Sequence, residues 1–185
     1  SNTDLQIASA VIIDDPNEFV VTGEADITML STLNISAGGV TSTGGTLSFL
    51  GGGELTGTGT IDFTGSTWVT GSSLFKLGGS YVFYQTNLKL GKDTTLTSDQ
   101  PLNIALLDLN GFILTLGSAD SDLTLEESLI IDESTEGIST GEADLILKSA
   151  LIMSNGLLQS SGGAIKFASN QTSKFSEDAV MMLDG

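Results

Sequence analysis

Leu106-Leu107-Asp108-Leu109-Asn110-Gly111-Phe112-Ile113-Leu114-Thr115-Leu116-Gly117 reads as two short strands about an Asn-Gly corner. Leucine and isoleucine stand at alternate positions on both sides of the corner, the two-residue period of a strand with one buried face. Asn-Gly tolerates the left-handed backbone that a tight turn needs. The same dipeptide is also the strongest short hairpin signal. Taken alone, the stretch fits both a winding solenoid and an antiparallel meander.

The same beat extends to both ends of the chain. Val11 to Ile13, Phe19 to Val21, Ile27 to Leu30, Leu33 to Ile35 and Leu47 to Leu50 are apolar clusters that recur roughly every 6–9 residues. Gly, Ser, Thr, Asn and Asp fill the gaps. Helical stripes are missing, because Gly or β-branched residues interrupt most windows. The best helical candidate, Asp120 to Ser134, reads better as two strands, since Leu123 and Leu125, then Leu129 and Ile131, flank a Glu126-Glu127 turn. Three strand-turn units make a coil of about 20–25 residues. The expected fold is therefore all-β, a single-domain parallel β-helix (β-solenoid) over residues 1–185 with about seven or eight coils. Coils stacked about 4.8 Å apart would give a rod roughly 35 Å long. An antiparallel β-sandwich is the alternative.

Three regions differ in texture. Residues 1–37 are acidic, residues 38–80 are rich in Gly and Thr, and residues 81–185 carry denser Leu and Ile. The middle region resembles a flexible linker only in composition. Leu47, Phe49, Leu55, Ile61, Phe63, Trp68 and Val69 recur through it at strand spacing, which predicts coils with glycine corners.

The chain has 23 acidic residues against six lysines, no Arg and no His, for a net charge of −17. That balance excludes a nucleic-acid partner, which needs clustered cations, and disfavours anionic membrane surfaces. Cysteine is absent, which removes disulfides and thiolate metal sites. No apolar run reaches the length of a membrane helix. The opening Ser-Asn-Thr-Asp has no signal-peptide character; a processed start or an excerpt of a longer chain is the expectation. The apolar run Ala179 to Leu183, just before the last residues, suggests continuation or an end covered by a neighbour.

Candidate sites are few. Asp14-Asp15, Glu126-Glu127 and Asp132-Glu133 are adjacent carboxylates. Strand neighbours point to opposite faces, so none is built to converge as a glycosidase pair must. Asp108 and Asn110, and Asp120 and Asp122, offer hard oxygen ligands of the kind Ca²⁺ takes. Neither pair completes an EF-hand loop or the G-G-x-G-x-D solenoid repeat. Gly57-Thr58-Gly59 has no helix after it and is no dinucleotide loop. Thr56, Thr58, Thr60, Thr64, Thr67 and Thr70 would suit an ice-binding array only if they shared one face, and β-propensity explains them without it. Trp68, Tyr81 and Tyr84, with Phe83 between, form an aromatic cluster on which a sugar could stack. Core packing is the competing role. Two Asn-x-Ser/Thr sequons, at Asn34 and Asn170, complete the motifs.

Leu106 to Leu125 and Gly44 to Gly65 resemble the L-x-L-x-G-x-L-x-L coils of bacterial surface β-helical proteins: autotransporter passengers, filamentous-haemagglutinin-like adhesins and giant repeat proteins. The resemblance implies a right-handed parallel β-helix and an extracellular or cell-surface role as a structural or adhesive element. It carries over no functional residue. The expected function is a structural segment or subunit of a surface fibre, coat or adhesin, self-associating through the solenoid ends into a homo-oligomer or filament. No enzymatic activity and no cofactor are expected, structural Ca²⁺ aside. The alternatives are a carbohydrate-binding module with a glycan partner and a polysaccharide-active β-helix enzyme.

Overall fold

A computed structural model describes residues 4–50, 55–57, 59–71, 74–77, 80–82, 85–168 and 170–184, with backbone path alone at 55–57, 74–77 and 80–82. Its strands fall into sets of three, one set per coil. The first coil holds β1 (Leu5–Ile7), β2 (Val11–Ile13) and β3 (Phe19–Gly23); the second holds β4 (Ile27–Met29), β5 (Leu33–Ile35) and β6 (Gly39–Ser42). The third holds β7 (Thr46–Phe49), β8 (Leu55–Gly57) and β9 (Thr60–Asp62); the fourth holds β10 (Thr67–Thr70), β11 (Leu74–Leu77) and β12 (Ser80–Val82). Then come β13 (Asn87–Leu90), β14 (Thr94–Ser98) and β15 (Leu102–Ile104), followed by β16 (Leu106–Asp108), β17 (Ile113–Leu116) and β18 (Leu123–Leu125). The seventh coil is β19 (Leu129–Ile131), β20 (Gly137–Ser139) and β21 (Leu145–Leu147); the eighth is β22 (Leu151–Met153), β23 (Leu157–Ser160) and β24 (Ile165–Phe167). Two further strands, β25 (Lys174–Phe175) and β26 (Val180–Leu183), begin another.

Each ladder among the described residues joins strands three places apart, and each is parallel. This is the expected β-solenoid, and it excludes the antiparallel sandwich. Asn110 and Gly111 both have positive φ, 52° and 85°, and they turn β16 into β17 within one coil instead of folding a hairpin. The step between stacked residues varies from nineteen (Leu88 to Leu107) to twenty-four (Leu114 to Ile138). That variation is why no strict period shows in the sequence. The extra residues go into corners, while the strands keep register apart from a shift in β3 between Val21 and Gly23.

Three faces run along the rod. The first stacks β1-β4-β7-β10-β13-β16 and then β19-β22-β25. The second stacks β2-β5-β8 and then β11 to β26 by threes, and the third stacks β3-β6-β9-β12 and then β15-β18-β21-β24. Each face turns alternate side chains inward. Leu47, Trp68, Leu88 and Leu107 form one such inward column, and all are buried. The Gly/Thr-rich region contributes Phe49, Ile61 and Phe63 to the same core, so it is wound chain and not linker.

Several inward polar side chains near the corners bond one another. Ser42 and Ser66 bond at 2.8 Å, and Thr70 and Thr94 at 2.9 Å. Buried hydroxyls stacked in this way meet the requirement that interior polar groups be partnered. They also split the threonine cluster, because Thr70 points into the core while Thr60 is exposed. Thr60 and Thr70 therefore do not share one flat face.

A long internal repeat underlies the second half. Thr22-Gly-Glu-Ala-Asp26 recurs as Thr140-Gly-Glu-Ala-Asp144, and thirteen of the twenty-nine residues from Val21 to Phe49 recur at the same spacing in Ser139 to Phe167. Backbone hydrogen bonds recur with them. Ser36 N–H donates to Ile13 O at 2.9 Å and Ser154 N–H to Ile131 O at 3.0 Å; Ala25 N–H donates to Thr22 O and Ala143 N–H to Thr140 O, both at 3.0 Å. The repeat equates β2 with β19 and β7 with β24, an offset of seventeen strands. Seventeen is not a multiple of three, so each repeated strand lies on a different face from its original.

Candidate functional site

Acidic side chains at the corners are built into the coil stack. An aspartate just before a strand accepts a backbone N–H from the next coil. Asp26 does so for Thr46 and Asp122 for Asp144, both at 2.7 Å; Asp144 does so for Ala164 at 2.7 Å and Asp93 for Ile113 at 2.9 Å. The Asp14-Asp15 and Asp132-Glu133 pairs open one turn used twice. Glu18 Oε2 accepts the Asp14 and Asp15 N–H groups at 3.2 and 3.3 Å, and Glu136 Oε2 accepts those of Asp132 and Glu133 at 2.9 and 3.3 Å. Glu136 is buried and also accepts Gly111 N–H from the coil below at 3.1 Å. A charged acceptor on three backbone donors is a strong structural clamp.

The lysines pair across coils. Lys89 meets Asp108 at 2.7 Å and Lys148 meets Glu126 at 2.6 Å, and Lys166 pairs with Asp144. Lys148, then Asn103, hydrogen-bonds Glu126 and lowers its carboxyl below the usual range. Lys166, then the Ala164 N–H, does the same for Asp144, and Asp144 in turn raises Lys166. The lysine ends are 41–54% exposed, so solvent screens the three pairs and each adds little to stability.

The expected site residues separate on this frame. Trp68 corrects the glycan-platform expectation: it is fully buried, because alternation in β10 turns it inward between Leu47 and Leu88. Tyr84, Phe83 and the side chain of Tyr81 lie outside the described residues. Asp108 ends β16 and Asn110 stands at the corner after it, with Asp120 and Asp122 at the corner before β18. Asp108 is engaged by Lys89, the Asn110 amide donates to Leu90 O at 3.0 Å, and Asp122 holds the Asp144 N–H, while Asp120 is exposed. Among the described residues no group of three or more acidic side chains is arranged to hold a metal ion.

One groove breaks the wall. The first face's ladder stops between β16 and β19, and a cavity of about 270 Å³ opens there against Leu106, Asp108, Leu109, Ile130, Asp132 and Glu136. Two of its three acids, Asp108 and Glu136, are held by Lys89 and by backbone donors. The groove is thus braced by its carboxylates.

The other exposed feature is the pair of coil edges. At the N-terminal edge Leu5, Ile12, Phe19 and Val21 are exposed, and the core is open at Ile7, Val11 and Val20. At the other edge Phe167, Phe175, Val180, Met181, Met182 and Leu183 are exposed. No helix occurs among the described residues, and none there is long and apolar enough to cross a membrane. The internal repeat measures what each edge lacks. Phe49 is 0% exposed under β10, whereas its counterpart Phe167 is 48% exposed; Leu5 is 49% exposed, whereas its counterpart Leu123, seated on β15, is 0%. No family model, no curated protein and no solved structure matches the chain.

Proposed function

We propose that the protein is a structural β-solenoid subunit or segment of an extracellular surface fibre, coat or adhesin, assembling end to end. The observation that carries this reading is the contrast between the two edges and the wall. The edges expose strand backbone and large apolar side chains, among them Leu5 and Phe167, whose counterparts Leu123 and Phe49 are buried. The wall is acidic and closed by corner hydrogen bonds. Open sheet edges are templates for pairing, and solenoid ends need a cap or a neighbour. The acidic wall repels other copies, most strongly side by side where two walls face.

Electron microscopy and light scattering across protein concentration and salt test the reading. Rods that lengthen with concentration, and more so at high salt where the repulsion of −17 per copy is screened, are expected. A monodisperse monomer throughout would refute end-to-end assembly.

A further inference from the structure

We infer that the cover for the C-terminal edge is the N-terminal edge of a second copy of this chain, in one register and rotated by one face. The inference rests on the end-to-end reading above and adds the geometry of the joint. The internal repeat supplies the template. Strands β1 and β3 are the counterparts of β18 and β20, whose undersides rest on β15 and β17 in this chain. The coil exposed at the other end offers β24 and β26 in the places of β15 and β17.

The inward patterns agree. Leu102 and Ile104 point inward beneath Leu123 and Leu125. Ile165 and Phe167 occupy the same alternation, since they stack on the buried Leu145 and Leu147. Seated under the second copy they meet Leu5 and Ile7, the counterparts of Leu123 and Leu125. On the neighbouring face Leu114 lies beneath Ile138, whose counterpart is Val20. Met181, stacked on the buried Leu158, takes the place of Leu114 and meets Val20. Both registers follow from one placement, with β1 of the second copy over β24 and its β3 over β26. That placement continues the three-strand winding after β26, and it turns the second copy by one face, because β1 lies on the first face and β24 on the third. The repeat already shows this sequence working after such a turn, since β2 is a first-coil strand of the second face and its counterpart β19 belongs to the first.

The outward residue between Leu5 and Ile7 is Gln6, and the one between Ile165 and Phe167 is Lys166; both are exposed. In the joint they lie one strand spacing apart, about 4.8 Å, within disulfide reach. The natural chain has no cysteine, so paired single substitutions report the register cleanly. Gln6→Cys protein mixed with Lys166→Cys protein should give a crosslinked heterodimer under mild oxidation. Gln6→Cys mixed with Lys174→Cys or with Met182→Cys, the outward positions on the other two faces, should give background only. Crosslinking through either of those pairs, in protein that assembles, overturns the one-face rotation and leaves end-to-end stacking standing. Assembly with no crosslink in any pair overturns the joint altogether. Monomers at every concentration overturn both readings, and leave further coils of a longer chain as the cover.

Discussion

Glu18 and Glu136 make the same turn in the two copies of the repeat, one exposed and one buried, and this pair allows a controlled test. Replacing Glu136 with Ala strips a charged acceptor from three backbone N–H groups, those of Asp132, Glu133 and Gly111. The residue is only 6% exposed, so water replaces the lost acceptor poorly. Hydrogen bonds to a charged group contribute about 1.5–3 kcal/mol each when well formed. With one good bond and two longer ones, the expected loss is roughly 3–5 kcal/mol. Replacing Glu18 removes two bonds of 3.2 and 3.3 Å at an exposed turn, where solvent takes over, and should cost about 1 kcal/mol or less. Each change removes one negative charge from a chain of −17, so the relief of repulsion is common to both. At about 2–4 °C per kcal/mol for a chain of this size, Glu136→Ala should lower Tm by roughly 6–20 °C and Glu18→Ala by about 4 °C at most. Solenoids need not melt in one step, so amide exchange at Gly111, Asp132 and Glu133, against Asp14 and Asp15, gives the local readout. Equal protection losses at the two turns, or a larger Tm shift for Glu18→Ala, would refute the clamp argument.

Trp68→Ala should destabilise by about 3–5 kcal/mol through the cavity it opens between Leu47 and Leu88; chemical denaturation checks this, and a change below about 1 kcal/mol would contradict its core placement. Gly156→Ala should cost about 1–2 kcal/mol for its φ of +75°, and more because the added Cβ presses on the Glu136 carbonyl oxygen; an unchanged Tm would count against it. The lowered carboxyls of Asp144 and Glu126 stabilise the fold above their unfolded values near about pH 4, and that contribution is lost as pH falls through the folded values. Lys166, raised by Asp144, contributes fully below its unfolded value near about pH 10.4 and loses that contribution as pH rises through its folded value. Melts from pH 7 to pH 3 should therefore show a shallower acid loss in Lys166→Met than in the natural chain, and parallel curves would rule out the pair as a contributor.

Most of the fold was legible because strand and corner signals act locally. The Glu126-Glu127 turn, the Asn110-Gly111 corner and the winding of the Gly/Thr-rich region all follow from apolar spacing and turn chemistry. The aromatic cluster misled because alternation gives two faces without saying which is inward; for Trp68 the decision lies in its stacked neighbours Leu47 and Leu88, twenty-one and twenty residues away. Asp122 reads in the sequence as a hard oxygen ligand of the kind Ca²⁺ takes, and Glu136 belongs to no motif. Their partners, the N–H groups of Asp144 and Gly111, come from adjacent coils, and no local rule reaches that far. The repeat was in plain view at Thr22 to Asp26 and Thr140 to Asp144. A search for one-coil periods misses it, because its length spans several coils.

The twenty-six strands of the chain, like the seventeen-strand offset, are not a multiple of three, and in the joint above that count governs what the outside of a longer rod would display. A side chain shown on one face in one copy reappears in the next copy a third of a turn around the axis. Three successive copies bring it back to its starting azimuth after seventy-eight strands, or twenty-six coils, about 125 Å along the axis at the usual strand spacing. Any contact surface repeated with the sequence would then trace a slow screw around the fibre, reachable from every side, where an offset divisible by three would confine it to a single stripe.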